Sequence, residues 1–318
     1  MEVLRDGRFY EEIRQQVRDF AEKEIKPIAH KYDMQDKEIP WEIIHRMAEL
    51  GYFGILVPEK WGGLGLDYMS MAVVAEELSR IWLSCGSVMT RNIIAETLLL
   101  NNGTEEQKKR WLPGLAQGKI FAAAAFTEPN AGSDTAGMKL KAQKVEGGWV
   151  LNGTKTWCTF ANRANILVVL ARTDPNPPKR HMGLSIFIVE KEPSEAHEGI
   201  KHPNIVGELI ETVGYHGMHC WTLHFEDCFV PDENLIGLEP GKGFYQLMQT
   251  YESARIQTAA RAVGVAQGAF ELAIKYSKER YQFERPISEF QLVRAKLARM
   301  MTYIEAARQL TYYACKMK

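Results

Sequence analysis

Two stretches of the chain bring together hydroxyls, a glycine and an aromatic ring. They are Phe126-Thr127-Glu128-Pro129-Asn130-Ala131-Gly132-Ser133-Asp134 and Asn152-Gly153-Thr154-Lys155-Thr156-Trp157-Cys158-Thr159. Gly132, with no side chain, lets backbone amides approach a phosphate closely. Thr127 and Ser133 offer hydroxyls that can donate or accept, and Trp157 offers a flat ring to a flat partner. The set suits a planar cofactor that carries phosphate. A long string of this kind is far more specific than a lone glycine-rich turn, whereas Trp157 alone would be read as a core residue of a strand.

Other residues attract attention for their chemistry. Arg91 interrupts the mostly apolar Val88-Met89-Thr90-Arg91-Asn92-Ile93-Ile94, where a charge must either face solvent or hold an anion. His216, His219, Cys220 and His224 resemble metal ligands only by composition. Their spacing spans a glycine-bearing turn and a β run in which His219 and Cys220 point to opposite faces, so no metal is expected. Gly62-Gly63-Leu64-Gly65 lacks the strand, helix and strand of a dinucleotide fingerprint. Asn102-Gly103-Thr104 and Asn152-Gly153-Thr154 match the glycosylation pattern but read as ordinary turns.

The elements that position these residues fall into three parts. From Glu11 to His30, apolar Ile13, Val17, Phe20, Ala21, Ile25 and Ile28 describe one buried helix face, which Pro27 should bend or end. Pro40 opens a second helix closed by Gly51, residues 67–82 and 87–101 read as helices, and Thr104-Glu105-Glu106-Gln107 is a capping-box start. Short β-rich runs follow at 140–145, 149–151, 154–159, 166–173, 184–190 and 222–229, a small, mostly antiparallel β region. Asp174-Pro175-Asn176-Pro177-Pro178 and residues 193–203 read as surface loops with no face to bury. Helical periodicity returns over about 243–283, with Ala259, Ala260, Ala262, Gly264, Ala266 and Gly268 forming a surface for close helix contact, and again after Pro286.

Bulk composition narrows the field of functions. With 39 Lys and Arg against 40 Asp and Glu in 318 residues, no broad field favours nucleic acid or an anionic membrane. The five cysteines, at 85, 158, 220, 228 and 315, lack the pairing or density of a secreted disulfide scaffold and suit a reducing compartment. Met1–Asp6 has no apolar secretory core, and no run of about 18 apolar residues would insert in a membrane.

Taken with this helix, β, helix order, the two motifs resemble the flavin-binding signature of the acyl-CoA dehydrogenase family, from about residue 10 to the end. The resemblance implies an α+β fold: an N-terminal helical domain (1–122), a middle antiparallel, barrel-like β domain (123–238) and a C-terminal helical bundle (239–318) left incomplete at Lys318. It implies FAD as cofactor, touched by Phe126, Thr127, Gly132, Ser133, Trp157, Cys158 and Thr159. Ser133 would also meet the acyl-CoA, and Trp157 and Thr159 would lie against the isoalloxazine. Glu279-Arg280-Tyr281-Gln282-Phe283 is similar to the family segment whose arginine and phenylalanine reach the FAD of a neighbouring subunit. Gln291 follows at the family position, although Glu284 replaces the usual glycine. A homo-oligomer, dimer or tetramer, is therefore expected.

Tyr251-Glu252-Ser253-Ala254-Arg255 is similar to the segment that the family sets against acyl-CoA, which makes Glu252 and Arg255 substrate-side residues. Arg91 falls on a helix that the family places near the far end of the acyl pocket. There it would bind a distal carboxylate, as in methylsuccinyl, benzylsuccinyl or glutaryl thioesters. The implied reaction is α,β-dehydrogenation of an acyl-CoA to the 2-enoyl-CoA, with electrons passed to an electron-transfer flavoprotein. The catalytic base is not found within 1–318. One family position holds Ala254, and Glu252, two residues away and about 200° around a helix, is a weak candidate. The other family position lies beyond Lys318. The same fold also serves acyl-CoA oxidases, and a non-catalytic flavin-fold assembly or binding protein is the alternative from another class. A bacterial cytoplasm or a mitochondrial matrix is the expected location.

Overall fold

Val17, Phe20, Ala21 and Ile25 are all buried in the structure, a computed structural model that describes residues 7–318. Met1–Asp6, read above as lacking a secretory core, lies outside the described residues. Helix α1 (Gly7–Phe20) runs through a π-helical turn, Ala21–Ile25, into α2 (Lys26–Met34), so Pro27 does not end the helix. In the widened turn the Lys26 amide donates to the Ala21 carbonyl, which accommodates a ring that has no N–H to offer.

Helix α3 (Trp41–Glu49) starts after Pro40 and is followed by Gly51 at φ 76, as the sequence implied. Asp67 caps α4 (Tyr68–Ile81) by accepting from the Ser70 amide at 2.8 Å. The single helix expected over 87–101 is two, α5 (Leu83–Met89) and α6 (Arg91–Asn102), interrupted at Thr90. The capping box of α7 (Glu105–Ala116) closes reciprocally, Gln107 N to Thr104 Oγ1 at 3.2 Å and Thr104 N to Gln107 Oε1 at 3.1 Å.

The chain gathers into two compact units. The helical unit comprises the described residues up to Lys31, 66–87 and 255–318, and so includes α1, α4, α9 (Gln291–Met317) and the larger part of α8 (Gly243–Glu279). The small-residue surface of α8 lies against α4. A Cβ on Gly264 would stand 2.1 Å from the Glu76 carbonyl oxygen, and one on Gly268 2.2 Å from that of Arg80. Glu76 and Glu77, both buried, are neutralised by Arg14, Arg18, Arg80 and Arg308. Between α8 and α9 the chain forms a small hairpin, β8 (Tyr281–Gln282) with β9 (Arg285–Pro286), whose turn residues Phe283 and Glu284 both have positive φ, 51° and 63°. Glu284 therefore takes the left-handed conformation that glycine adopts more readily.

The β unit, residues 32–65 and 88–254, holds a sheet of seven strands among the described residues. They are β1 (Ala122–Ala125), β2 (Lys141–Val145), β3 (Gly148–Thr159), β4 (Ile166–Arg172), β5 (Leu184–Glu190), β6 (Ile205–Ile210) and β7 (Cys220–Pro231). Their order is β1-β4-β2-β3-β7-β6, with β5 also on β4. Most pairs are antiparallel, but β4 runs parallel to β1 and β2. Neither β1 nor β6 was foreseen, because Ala122–Ala125 has no β-branched residue and Gly207 interrupts the β6 pattern. The two runs expected at 149–151 and 154–159 are one strand, β3, whose register against β7 shifts twice. The 193–203 loop buries more than expected: Ser194 is buried, and Ala196 and Ile200 pack on the β core. Among the described residues, no helix is long and apolar enough to cross a membrane.

Candidate active site

The two motifs meet in the β unit. Residues 126–134 leave the end of β1, and 152–159 form the second half of β3. The Thr156 amide donates to the Thr127 carbonyl at 2.8 Å, while Glu128 and Ala131 exchange amide-to-carbonyl bonds of 2.8 and 3.1 Å that fold the loop into a tight turn. Beneath that turn is a buried ion pair. Lys155 Nζ donates to Glu128 Oε1 at 2.9 Å and to the Phe126 carbonyl at 2.8 Å. The Glu128 carboxylate also accepts from the amides of Lys139 at 2.7 Å and Leu140 at 2.8 Å. Burial pushes the Lys155 ammonium below its ordinary range, and the Glu128 charge partly offsets this.

The loop presents Gly132, Ser133 and Asp134 to solvent, with Thr127 half-buried. Nothing in the protein itself demands glycine at 132. A Cβ there would meet only Thr127 Cγ2, at an ordinary 3.7 Å, and no left-handed φ is involved. A group passing close to the backbone is the remaining reason for it, and a phosphate fits that description. The Phe126 ring, by contrast, is buried against Tyr251 with centroids 6.4 Å apart and is not presented on the loop surface.

Trp157 occupies the β-bulge that separates the Lys155 and Cys158 registers. It is 59% exposed and has φ 58°, a conformation that is a clear outlier for a bulky residue and costs about 1–3 kcal/mol. A strained indole more than half exposed is suited to lie against a flat ring. On the same outward face Thr159 pairs with Cys220 Sγ at 3.4 Å, Thr156 with Thr222 at 3.0 Å and Thr154 with His224 Nδ1 at 3.1 Å. Cys158 departs from expectation. Its side chain is fully buried in the β core on the opposite face, where burial raises its thiol far above the usual range, so the thiol does not reach the outward face.

Arg91 is the first residue of α6, and its charge is felt at the Cys220 thiol, the cross-strand partner of Thr159. Thr90 makes no side-chain cap bond and the first turn of α6 has no acid, so Arg91 stands at the positive end of the helix dipole. Further along α6, Asn92 is fully satisfied: it donates to the Leu115 and Ile120 carbonyls and accepts from the Ala122 amide. Glu96, one turn later, is 1% exposed and neither carboxyl oxygen has a hydrogen-bond partner, so burial raises it well above the carboxylate range.

Glu252 is exposed and belongs to the β unit, whereas Arg255 is exposed and belongs to the helical unit. In the helical unit Arg280 lies between α8 and the hairpin, Phe283 is 87% exposed at its turn, and Gln291, also exposed, opens α9. Sequence reasoning passed over Glu128 and Lys155, although both stand inside the motifs it singled out. The signal was there: Lys155 has the same parity as Trp149 and Leu151, which marks an inward-facing position on β3.

His216 bonds the carbonyls of Asp33 at 2.8 Å and Thr212 at 3.2 Å, and His219 lies 3.5 Å from both Asp36 and Glu38. Their basicity rises, His216 through its bonds to the Thr212 and Asp33 carbonyls and His219 through Glu38. No group of three His, Cys, Asp or Glu among the described residues could hold a metal ion.

The family descriptions of the acyl-CoA dehydrogenase N-terminal, middle and C-terminal domains match residues 9–119, 123–228 and 241–318 in that order. The chain belongs to the acyl-CoA dehydrogenase family. It is 48% identical over 304 residues to (2S)-methylsuccinyl-CoA dehydrogenase of Cereibacter sphaeroides, a match that takes in 96% of this chain and 55% of that protein. The chain thus spans about half the length of that relative. Solved structures of similar form include a chain from the electron transferring flavoprotein of Acidaminococcus fermentans. It has a TM-score of 0.90 and 36% identity, covering all of this chain and 80% of that one. A glutaryl-CoA dehydrogenase of Mycobacterium smegmatis in complex with FADH2 gives a TM-score of 0.88 and 26% identity, covering 99% of this chain and 76% of that one.

Proposed function

We propose that the protein is an FAD-dependent dehydrogenase that introduces the α,β double bond into a branched acyl-CoA carrying a distal carboxylate. The observation that carries this is Trp157, held outward in a strained conformation beside a hydroxyl-bearing loop with an otherwise unneeded glycine. Bound FAD would supply the acceptor for the β hydrogen, taken as hydride. The chain's own residues hold and orient. The Gly132 backbone with the Ser133 and Thr127 hydroxyls receives phosphate, and Trp157 and Thr159 align the flat ring. Ser133 would also meet the thioester, and Glu252 and Arg255 are assigned to substrate binding.

Arg91 pairs with the distal carboxylate. Supporting this are its position beside the Thr159–Cys220 pair and the methylsuccinyl substrate named for the relative at 48% identity. Glu252 stands about 200° around the helix from the family position at Ala254, so it does not take the place of the carboxylate that removes the α proton. Arg280, Phe283 and Gln291, exposed around the hairpin, would reach the FAD of a second copy in a homodimer or tetramer. Electrons would pass to an electron-transfer flavoprotein. Five free, buried cysteines fit a reducing compartment, a bacterial cytoplasm or a mitochondrial matrix.

The test is an anaerobic titration of the FAD-loaded protein with methylsuccinyl-CoA and with an uncharged branched acyl-CoA. Flavin bleaching by the carboxylate-bearing thioester, lost in Arg91→Leu with bleaching by the uncharged one retained, is the expected result. A protein that takes up no flavin, or an Arg91→Leu variant with unchanged preference, would refute the respective halves of the proposal.

A further inference from the structure

The Glu128–Lys155 pair is unusual among the ion pairs of the β unit, because its lysine is completely buried and every polar contact it makes lies within the two flavin-contacting motifs and their flanks. Replacing a buried pair of this kind with apolar side chains is commonly neutral or stabilising, so stability alone does not account for it. Its connections indicate another role. On one side Lys155 holds the Phe126 carbonyl, one residue before Thr127, and Glu128 anchors the turn that carries Gly132 and Ser133. On the other side Lys155 is the last residue of β3 in register before the bulge that throws Trp157 outward. Glu128 also holds the Lys139 and Leu140 amides at the entrance to β2, so three backbone segments converge on one carboxylate.

We propose that Glu128 and Lys155 are positioning residues for the cofactor: the pair locks the phosphate-side loop to the ring-side bulge, so that Gly132 and Ser133 stand at a fixed distance from Trp157 and Thr159. This rests on the FAD reading of the site. A cofactor that is bound at both its phosphate and its ring gains affinity from such preorganisation, because the two halves need not be ordered upon binding. The pair touches no reacting atom and acts only through the backbone it holds.

The test compares the native protein, stripped of flavin, with Lys155→Met, Glu128→Gln and the double variant Lys155→Met/Glu128→Gln. FAD is titrated in by the quenching of tryptophan fluorescence, the visible spectrum of the bound flavin is recorded, and the thermal midpoint of each apoprotein is measured separately. The double variant, relieved of an unpaired buried charge, is expected to recover an apoprotein midpoint near that of the wild type. Its FAD dissociation constant should stay at least about tenfold higher, with an altered flavin band shape. A double variant that binds FAD as tightly as the wild type and with the same spectrum would overturn the inference. So would affinity losses that follow the midpoint across all three variants. If the wild-type protein itself binds no FAD, the flavin assignment falls and the inference with it, a result separate from wild-type binding that the variants share.

Discussion

Glu96 provides a direct measure of the electrostatic cost carried by helix α6. It is 1% exposed, both of its oxygens lack partners, and burial raises its pKa well above the ordinary carboxylate range. The unfolded chain releases this proton near pH 4.3, while the folded protein keeps it, so the folded state binds one proton more. Stability from this group is complete below the unfolded value and is lost as pH rises toward the raised folded value, by about 1.4 kcal/mol per pH unit. Glu96→Gln removes the titration and leaves the shape almost unchanged. Above the ordinary carboxylate range the wild type should therefore lose stability steadily relative to the variant until pH reaches the raised folded value, while near pH 4 the two converge to within the cost of an unsatisfied amide. Urea unfolding followed by tryptophan fluorescence at half-unit pH steps reads this as a midpoint difference that widens with pH. Parallel wild-type and variant curves would refute the reasoning, because they would mean that Glu96 ionises in the folded state and has a partner for its charge.

Other outcomes follow from the same structure. Trp157→Gly relieves the left-handed strain and removes the ring platform, so apoprotein stability should hold or rise while FAD affinity falls at least about tenfold, as read by thermal melting and flavin titration. His219 is raised chiefly by Glu38, and Glu38 is lowered to about 2, most strongly by the approach of His219, despite its burial. The clip between residues 33–38 and 212–219 should thus be tightest between the ordinary carboxylate and histidine values. It should loosen as pH rises through the raised His216 and His219 values or falls toward 2, and hydrogen exchange at the Ile39 amide, bonded to the Gly217 carbonyl, reports it. Gly264→Ala would drive a methyl group to 2.1 Å from the Glu76 carbonyl, costing about 1–3 kcal/mol in chemical denaturation as α8 and α4 are forced apart. Thr104→Ala should cost about 1 kcal/mol by loss of the capping box.

Where sequence and structure agree, local rules suffice. The capping box at Thr104, the stop at Gly51 and the small-residue surface around Gly264 each depend on residues within a turn or two of one another. Disagreements arise where distant segments decide the outcome. Ala122–Ala125 becomes a strand because it pairs with β4, not because alanine favours one. The π-helical turn before Pro27 forms where Ala21 and Ile25 are both buried, so packing keeps the helix running past the proline.

For the candidate site, the chain alone set the chemical inventory: hydroxyls at Thr127, Ser133 and Thr159, an unencumbered backbone at Gly132, an indole at Trp157 and a cation at Arg91. Side-chain identity and short spacing are properties of the linear polymer. Which way each group points is not, because one β-bulge reverses the parity of everything beyond it, and that bulge exists only through the register of β3 against β7. Tertiary structure therefore turned Trp157 outward and Cys158 inward, and it closed Glu128 onto Lys155 across 27 positions of chain. No periodicity along the sequence encodes such a pairing, since burying both charges is favourable only when the fold has already brought them together.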